Sequence, residues 1–235
     1  MITIDFETYY DKDFSLSKLT TEEYVRAHEF EVIGVAVKVN NGEAQWFSGD
    51  YTETLVWLQQ FNWGDHFVLA HNAMFDAAIL TWRFGIKPKA WLDTLSMARA
   101  VLGVTTSMRL AVLAEHFGLG VKGTEVEDAK GVRRIDFSPQ HLAQYGAYCC
   151  NDVELTYKLY QELDKGFPVK EKKIIDLTIR MFSDPVLELD VPRLEGHLQD
   201  IKTRKQKLFE DAKITPDVLN SNKKFAELQI GRAHV

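Results

Sequence analysis

Three groups of residues in this sequence have types and spacings that could do chemistry together. Asp5 and Glu7 lie two apart in the run Ile2-Thr3-Ile4-Asp5-Phe6-Glu7-Thr8. Alternation of this kind reads as a strand, and a separation of two puts both carboxylates on one face of a sheet. Acids that face one way repel unless they are solvated or share a cation, and an oxygen-rich site suits magnesium or manganese. Asp76 follows His71-Asn72 in a helical pattern, with Asn72 and Asp76 at the i, i+4 spacing of one helix face. Tyr148 and Asp152 share that spacing, which sets a phenol and a carboxylate one turn apart. Each group alone is commonplace: Asn72 reads equally as a helix cap, Asp76 as a solvated acid, and Tyr148 with Asp152 as ordinary helix surface. Tyr145 reads as a packing aromatic and stays outside the candidate set. Cys149 and Cys150, the only cysteines, are adjacent, so they offer neither a disulfide framework nor zinc-ligand spacing and read as packing residues.

These residues need a scaffold, and the apolar periodicity supplies one. Residues 2–6 predict a first strand. A second over 30–39 turns at Asn40-Asn41-Gly42 and returns through 44–48, the pattern of a hairpin. A helix over 51–61 and a buried strand over 67–70 follow, and then a helix over 73–84 that stops at Gly85. Helices are expected over 94–102 and 107–117, and the glycine- and charge-rich stretch 120–138 reads as an exposed loop. Ser138-Pro139 opens a long helix to about Asp164, with Ser as N-cap and Pro at the first helical position. Gly166-Phe167-Pro168 marks a domain boundary, beyond which 169–182 and 192–212 read as helices. The expected fold class is α/β: a mixed sheet that begins with a hairpin, flanked by helices and followed by a helical extension.

Composition agrees with a globular fold, with 46% hydrophobic and 26% charged residues. No apolar run has the length of a membrane span and the N-terminus lacks a signal-type flank, so no membrane is expected and the cytoplasm is the expected compartment. The formal charge of −6 argues at first against a nucleic-acid partner. Its distribution changes that reading. Residues 1–164 carry 14 basic and 23 acidic residues, a net −9, whereas residues 165–235 carry 14 and 11, a net +3. Acid concentrated in one part suits a site that gathers divalent cations and bridges them to an anionic substrate. Nothing in the sequence indicates an oligomer.

The ordered set Asp5-x-Glu7-Thr8, His71-Asn72-x3-Asp76 and Tyr148-x3-Asp152 resembles the three exonuclease motifs of the DEDD superfamily, in its tyrosine-bearing branch. Trp91-Leu92-Asp93-Thr94 and Arg109-Leu110-Ala111-x2-Ala114-Glu115-x2-Gly118 are similar to that family's intervening segments. The resemblance covers residues 1–165 and implies a ribonuclease H-like 3′→5′ exonuclease with two Mg²⁺ or Mn²⁺ ions. It implies that Asp5, Glu7 and Asp152 hold one ion, that Asp5 bridges to the second and Asp76 reaches it through water, and that Tyr148 orients the attacking water. Thr8 and Asn72 would contact substrate. Residues 166–229 resemble the linker and early thumb of bacterial and phage family A DNA polymerases, which implies a proofreading role on single-stranded DNA 3′ ends with the polymerase domain in cis. Two other readings stand beside this: a stand-alone exoribonuclease of the same superfamily, and a metal-free module that holds single-stranded ends. The terminal Ile-Gly-Arg-Ala-His-Val at 230–235 interrupts the helical pattern and matches a reading frame of a common sequencing adapter, so it is expected to be an artefact of sequencing.

Overall fold

The computed structural model of the chain describes residues 1–103, 105–123 and 129–233, the last three as backbone alone. Its first compact unit, Met1–Pro185, is built on a five-stranded sheet in the order β3-β2-β1-β4-β5. The strands are β1 (Ile2–Thr8), β2 (Val32–Val39), β3 (Gln45–Phe47), β4 (Phe67–Ala70) and β5 (Ala90–Asp93). β1, β2 and β3 pair antiparallel, whereas β4 and β5 join parallel to β1 and to each other. This is the mixed α/β sheet expected from the sequence. β2 is buried from Ile33 to Lys38, which explains its almost unbroken apolar run: a strand covered on both faces has no polar side to alternate. Along β1 the two faces separate by function. Ile2, Ile4 and Phe6 enter the main core beside Tyr24 and Ala77, and the intervening Asp5 and Glu7 reach residues of the long helix on the opposite face.

Helices α1 (Thr21–Arg26), α2 (Tyr51–Leu58), α3 (Met74–Ala78), α4 (Thr94–Leu102), α5 (Leu110–His116), α6 (Pro139–Leu163) and α7 (Val169–Ser183) surround the sheet. The Ser138 hydroxyl accepts the His141 N–H and Pro139 opens α6, as the sequence predicts. α1 was not expected; a Thr20/Glu23 capping box closes this short helix reciprocally. β5 was not expected either. Its four residues are too few for a period to register, and its outer edge is closed by α7, where Asp176 accepts the Trp91 N–H at 2.8 Å. The Arg180 guanidinium donates to the carbonyls of Pro88 and Lys89, and the Trp82 indole donates to that of Ser183. The expected boundary at 165/166 therefore falls inside the first unit.

Several expectations need correction. The helix over 73–84 is α-helical only as far as Ala78 and widens into a π-type turn over Ile79–Arg83. Asn72 does not share a helix face with Asp76: it precedes α3 in a left-handed conformation with φ of 69°. Asp93 holds it there, accepting the N–H groups of Asn72 at 2.8 Å and Ala73 at 3.3 Å. The stretch 120–138 is not simply an exposed loop, because Ala129 is buried against Tyr9, Tyr145 and Tyr148 and residues 134–136 form a helical turn. Residues 124–128 of that stretch lie outside the described residues.

The second unit, Val186–Val235, contains α8 (Val191–Ala212), α9 (Pro216–Leu219) and α10 (Asn222–Ala233). α10 runs through Ile230 to Ala233, so the expected interruption of the helix at 230 does not occur, and the last two residues lie outside the description. Among the described residues, no helix is long and apolar enough to cross a membrane.

Candidate active site

Four carboxylates from three elements meet where β1 outruns its neighbour. β4 pairs with β1 only at Ile2 and Thr3, which leaves the far end of β1 open on that side. Asp76, on α3, fills the gap: its Oδ1 accepts the Phe6 N–H at 3.1 Å, between Asp5 and Glu7 in the chain. α6 crosses the same face of the sheet and presents Tyr145, Tyr148, Cys149 and Asp152, whose i, i+3, i+4 and i+7 spacing makes one continuous helical stripe. The Tyr145 hydroxyl donates to Glu7 Oε2 at 2.7 Å. The Cys149 thiol lies 3.4 Å from both the carbonyl and Oδ2 of Asp5. Tyr148 stacks on Tyr145 and Tyr145 on Phe137, with centroids 6.2 and 5.6 Å apart, so the two phenols sit in a rigid aromatic column. The structure thus brings together Asp5, Glu7, Asp76, Tyr148 and Asp152, the five residues singled out in the sequence. It adds Tyr145 and Cys149, which read from the sequence as packing residues. Extending the Tyr148/Asp152 stripe one turn back would have found both.

Crowding and burial shape the electrostatics. Burial, then the charge of Asp152, raises the Asp5 carboxyl to about 7, although Lys122 and the Cys149 thiol partly oppose the rise. Burial followed by the Asp5 charge also holds Glu7 and Asp76 well above the usual carboxylate range. The Tyr145 and Tyr148 phenols are pushed up by burial and by nearby acids, so both stay neutral at physiological pH. Burial raises the Cys149 thiol as well, which keeps it a weak hydrogen-bond donor to Asp5 and not a thiolate ligand. Lys122 brings a positive charge, forming an ion pair with Asp152 Oδ2 and lying 5.0 Å from the centre of the Tyr148 ring.

The surroundings are open. A cleft of about 550 Å³ is lined by Asp5, His71, Arg109, Lys122 and Asp152. A second, of about 280 Å³, is lined by Glu7, Thr8, Tyr10, Leu16 and Phe75. Thr8 meets the Tyr24 hydroxyl at 2.9 Å beside this second cleft. Asn72 is exposed on its turn, and among the described residues no hydrogen bond ties its side chain to the acids. His71 is fixed from both ring nitrogens, by the Thr94 hydroxyl at 2.8 Å and the Met108 carbonyl at 2.9 Å.

The donor set fits a hard divalent cation. Ligand atoms of Asp5, Glu7 and Cys149 lie within 4.8 Å of one another, and the two acids supply the charge that the neutral thiol does not. A buried acid cluster of this density is costly without a compensating cation.

Comparison with known proteins identifies the family. A family model described as 3′-5′ exonuclease matches residues 21–167, a stretch that includes Asp76, Tyr148 and Asp152, while β1 adds Asp5 and Glu7 from outside it. DNA polymerase subunit gamma-1 of Xenopus laevis is 25% identical over 158 residues, which are 65% of this chain and 12% of that protein. The chain thus spans a small part of that relative's length. Among solved structures, RNase D of Trypanosoma brucei matches with a TM-score of 0.58 and 18% identity over 80% of this chain and 68% of its own. NrnC of Brucella melitensis with bound Mg²⁺ matches at 0.52 and 18% over 78% and 82%. A family B DNA polymerase of Pyrobaculum calidifontis matches at 0.54 and 16% over 77% and 26%. At such identities the likeness is one of fold, and the fold is that of the ribonuclease H-like exonucleases. The family match covers more than half of the chain, and this protein belongs to the 3′-5′ exonuclease family of the DEDD superfamily.

Proposed function

We propose that this chain hydrolyses the terminal phosphodiester at the 3′ end of DNA, using two divalent ions, Mg²⁺ or Mn²⁺, as the proofreading nuclease of a family A DNA polymerase. The observation that carries the reading is the meeting of Asp5, Glu7, Asp76 and Asp152 beside a neutral tyrosine, with Asp5 and Asp152 lining an open cleft. Asp5, Glu7 and Asp152 would hold one ion and Asp5 with Asp76 the other. Bound there, such ions supply charge that activates water and stabilises the oxygens entering and leaving phosphorus.

The residues of the chain do the rest. Tyr145 ties down Glu7 Oε2, which orients that carboxylate. Tyr148, kept neutral by burial beside Asp152, can donate or accept a hydrogen bond and so align a water with the phosphorus. As the water oxygen bonds to phosphorus and gives up a proton to solvent, the bond to the 3′ oxygen of the preceding nucleotide breaks; that oxygen takes up a proton to leave a 3′ hydroxyl on the shortened strand, and a 5′-mononucleotide is released. Arg109 and Lys122 give the cleft the cationic side that a phosphate backbone requires. Thr8 and Asn72 are proposed as substrate contacts. The polymerase setting is supported by the gamma-1 match and by the helical unit after Pro185.

A second reading, a stand-alone exoribonuclease, is favoured by the extensive match to RNase D and NrnC. One assay separates the two: 5′-labelled DNA and RNA single strands with Mg²⁺, against a chelator control and Asp5→Asn. Laddering of DNA from the 3′ end, lost in both controls, is the expected result. Degradation confined to RNA would select the second reading, and DNA cleavage that survives exhaustive chelation would remove the metal from the mechanism.

A further inference from the structure

Lys122 is placed by the fold rather than left to solvent. Gly120 takes a φ of 139°, with a Cβ position only 3.3 Å from the Leu155 side chain, so the chain can turn close against α6 there. The Asn151 side-chain amide then donates to the Val121 carbonyl at 3.0 Å. One residue further along both segments, the Lys122 ammonium reaches Asp152 Oδ2. Its side chain is 26% exposed and that of Asp152 is 5% exposed, so the pair is largely sheltered from screening. The charge of Lys122 also acts on Asp5 and Glu7.

We propose that Lys122 is a tethered counter-cation that competes with a divalent ion for the carboxylate of Asp152. This rests on the reading of the acid cluster as a metal site. An oxygen that accepts an ammonium gives up part of the electron density that a metal ligand must supply, and a monovalent and a divalent cation beside the same acid repel each other. Binding of the ion therefore requires Lys122 to leave. Its unbranched stem lines the open cleft, so the ammonium can swing out by side-chain rotation while Asn151 keeps the backbone in place. The lysine thereby keeps Asp152 paired until a cation of higher charge arrives, at a cost in affinity for that cation.

The test needs no nucleic acid. Mn²⁺ is titrated into the full chain and free Mn²⁺ is followed by electron paramagnetic resonance, for the wild type, Lys122→Met and Lys122→Arg. The methionine variant keeps the stem without the charge, and its first Mn²⁺ should bind about tenfold tighter or more. The arginine variant should stay near wild type. In a second measurement on the wild type alone, an amine-acetylating reagent should modify Lys122 slowly without Mn²⁺ and several-fold faster with it, as read by peptide mass spectrometry. A lysine with a purely structural role would show no such acceleration. Wild-type Mn²⁺ binding that Lys122→Met leaves unchanged or weakens, or a labelling rate indifferent to Mn²⁺, overturns the competition while leaving the metal site intact. Failure of the wild type and Lys122→Met alike to bind Mn²⁺ overturns the metal-site reading and the competition with it.

Discussion

Burial of acids makes the protonation state of this site part of its stability. A carboxyl raised in the folded state favours folding fully below its unfolded value and loses that contribution as pH rises through the folded value. For Asp5 this window runs from 3.8 to about 7, and Glu7 and Asp76 shift in the same direction. A divalent ion needs these groups deprotonated, so its stabilising effect should grow over the same window. Thermal melts with and without Mn²⁺ should differ little at pH 5, and by about 5 °C or more at pH 8 with the ion roughly a hundredfold above its dissociation constant. A shift that is independent of pH, or larger at pH 5, would contradict the buried acid cluster as the site of binding. Asp5, Glu7, Asp76, Tyr148 and Asp152 could be singled out from sequence because local spacing groups each set and the order of the sets matches a known pattern. Lys122 could not, since its partner is 30 residues away and only the turn at Gly120 brings them together. Tyr145 and Cys149 were within reach of helix-face arithmetic, but their types suit packing equally well and no local feature decides between the roles.

At the scale of elements, the site depends on how closely α6 lies against the sheet. Gly146 sits between Tyr145 and Tyr148, and a Cβ there would come within 2.5 Å of Trp46 Cδ1 and 2.7 Å of Trp46 Nε1. In an exposed helix, replacing glycine by alanine gains roughly 0.5–1 kcal/mol, but here the overlap with a large, packed ring decides the sign. Gly146→Ala should destabilise by about 1–3 kcal/mol and, by moving α6 outward, reduce nuclease activity by about tenfold or more. Ala147→Gly on the exposed side serves as the control. It should cost up to about 1 kcal/mol of stability and leave activity per folded molecule intact. Chemical denaturation together with activity assays decides the matter, and a Gly146→Ala protein equal to wild type in both would mean that α6 is free to shift. The elements legible in sequence were those with strong local signals: the Asn-Gly hairpin of β2 and β3, and α6 with its Ser-Pro start. β5 and α1 are too short for periodicity to register, and the left-handed turn at Asn72 is imposed by Asp93 from the next strand.

At the scale of the whole molecule, the question is how much chain the nuclease needs. The Gly166-Phe167-Pro168 break is an evident place to cut, yet the helix after it belongs to the first unit. Ile179 is buried in the main core, Asp176 caps the edge of β5 through Trp91, and Phe182 packs on Trp82 with centroids 5.0 Å apart. Removing α7 would uncover this apolar surface and open a sheet edge, a loss of several kcal/mol at about 25 cal/mol per Å². The second unit differs: α8 has no buried residue, and Leu194, Leu198, Ile201 and Leu208 along it are exposed. A fragment of residues 1–185 should therefore melt cooperatively within a few degrees of the full chain and degrade a short single strand at a rate within about threefold of it. A fragment of residues 1–165 should be unfolded or melt at least about 10 °C lower, and be inactive or nearly so. Circular dichroism melts and the end-labelled strand assay on the two fragments give the answer. If the shorter fragment proved as stable and active as the longer one, α7 would be dispensable and the boundary would lie at the Gly166-Phe167-Pro168 break. If residues 1–185 failed to fold where the full chain folds, the second unit would have to contribute to the nuclease itself.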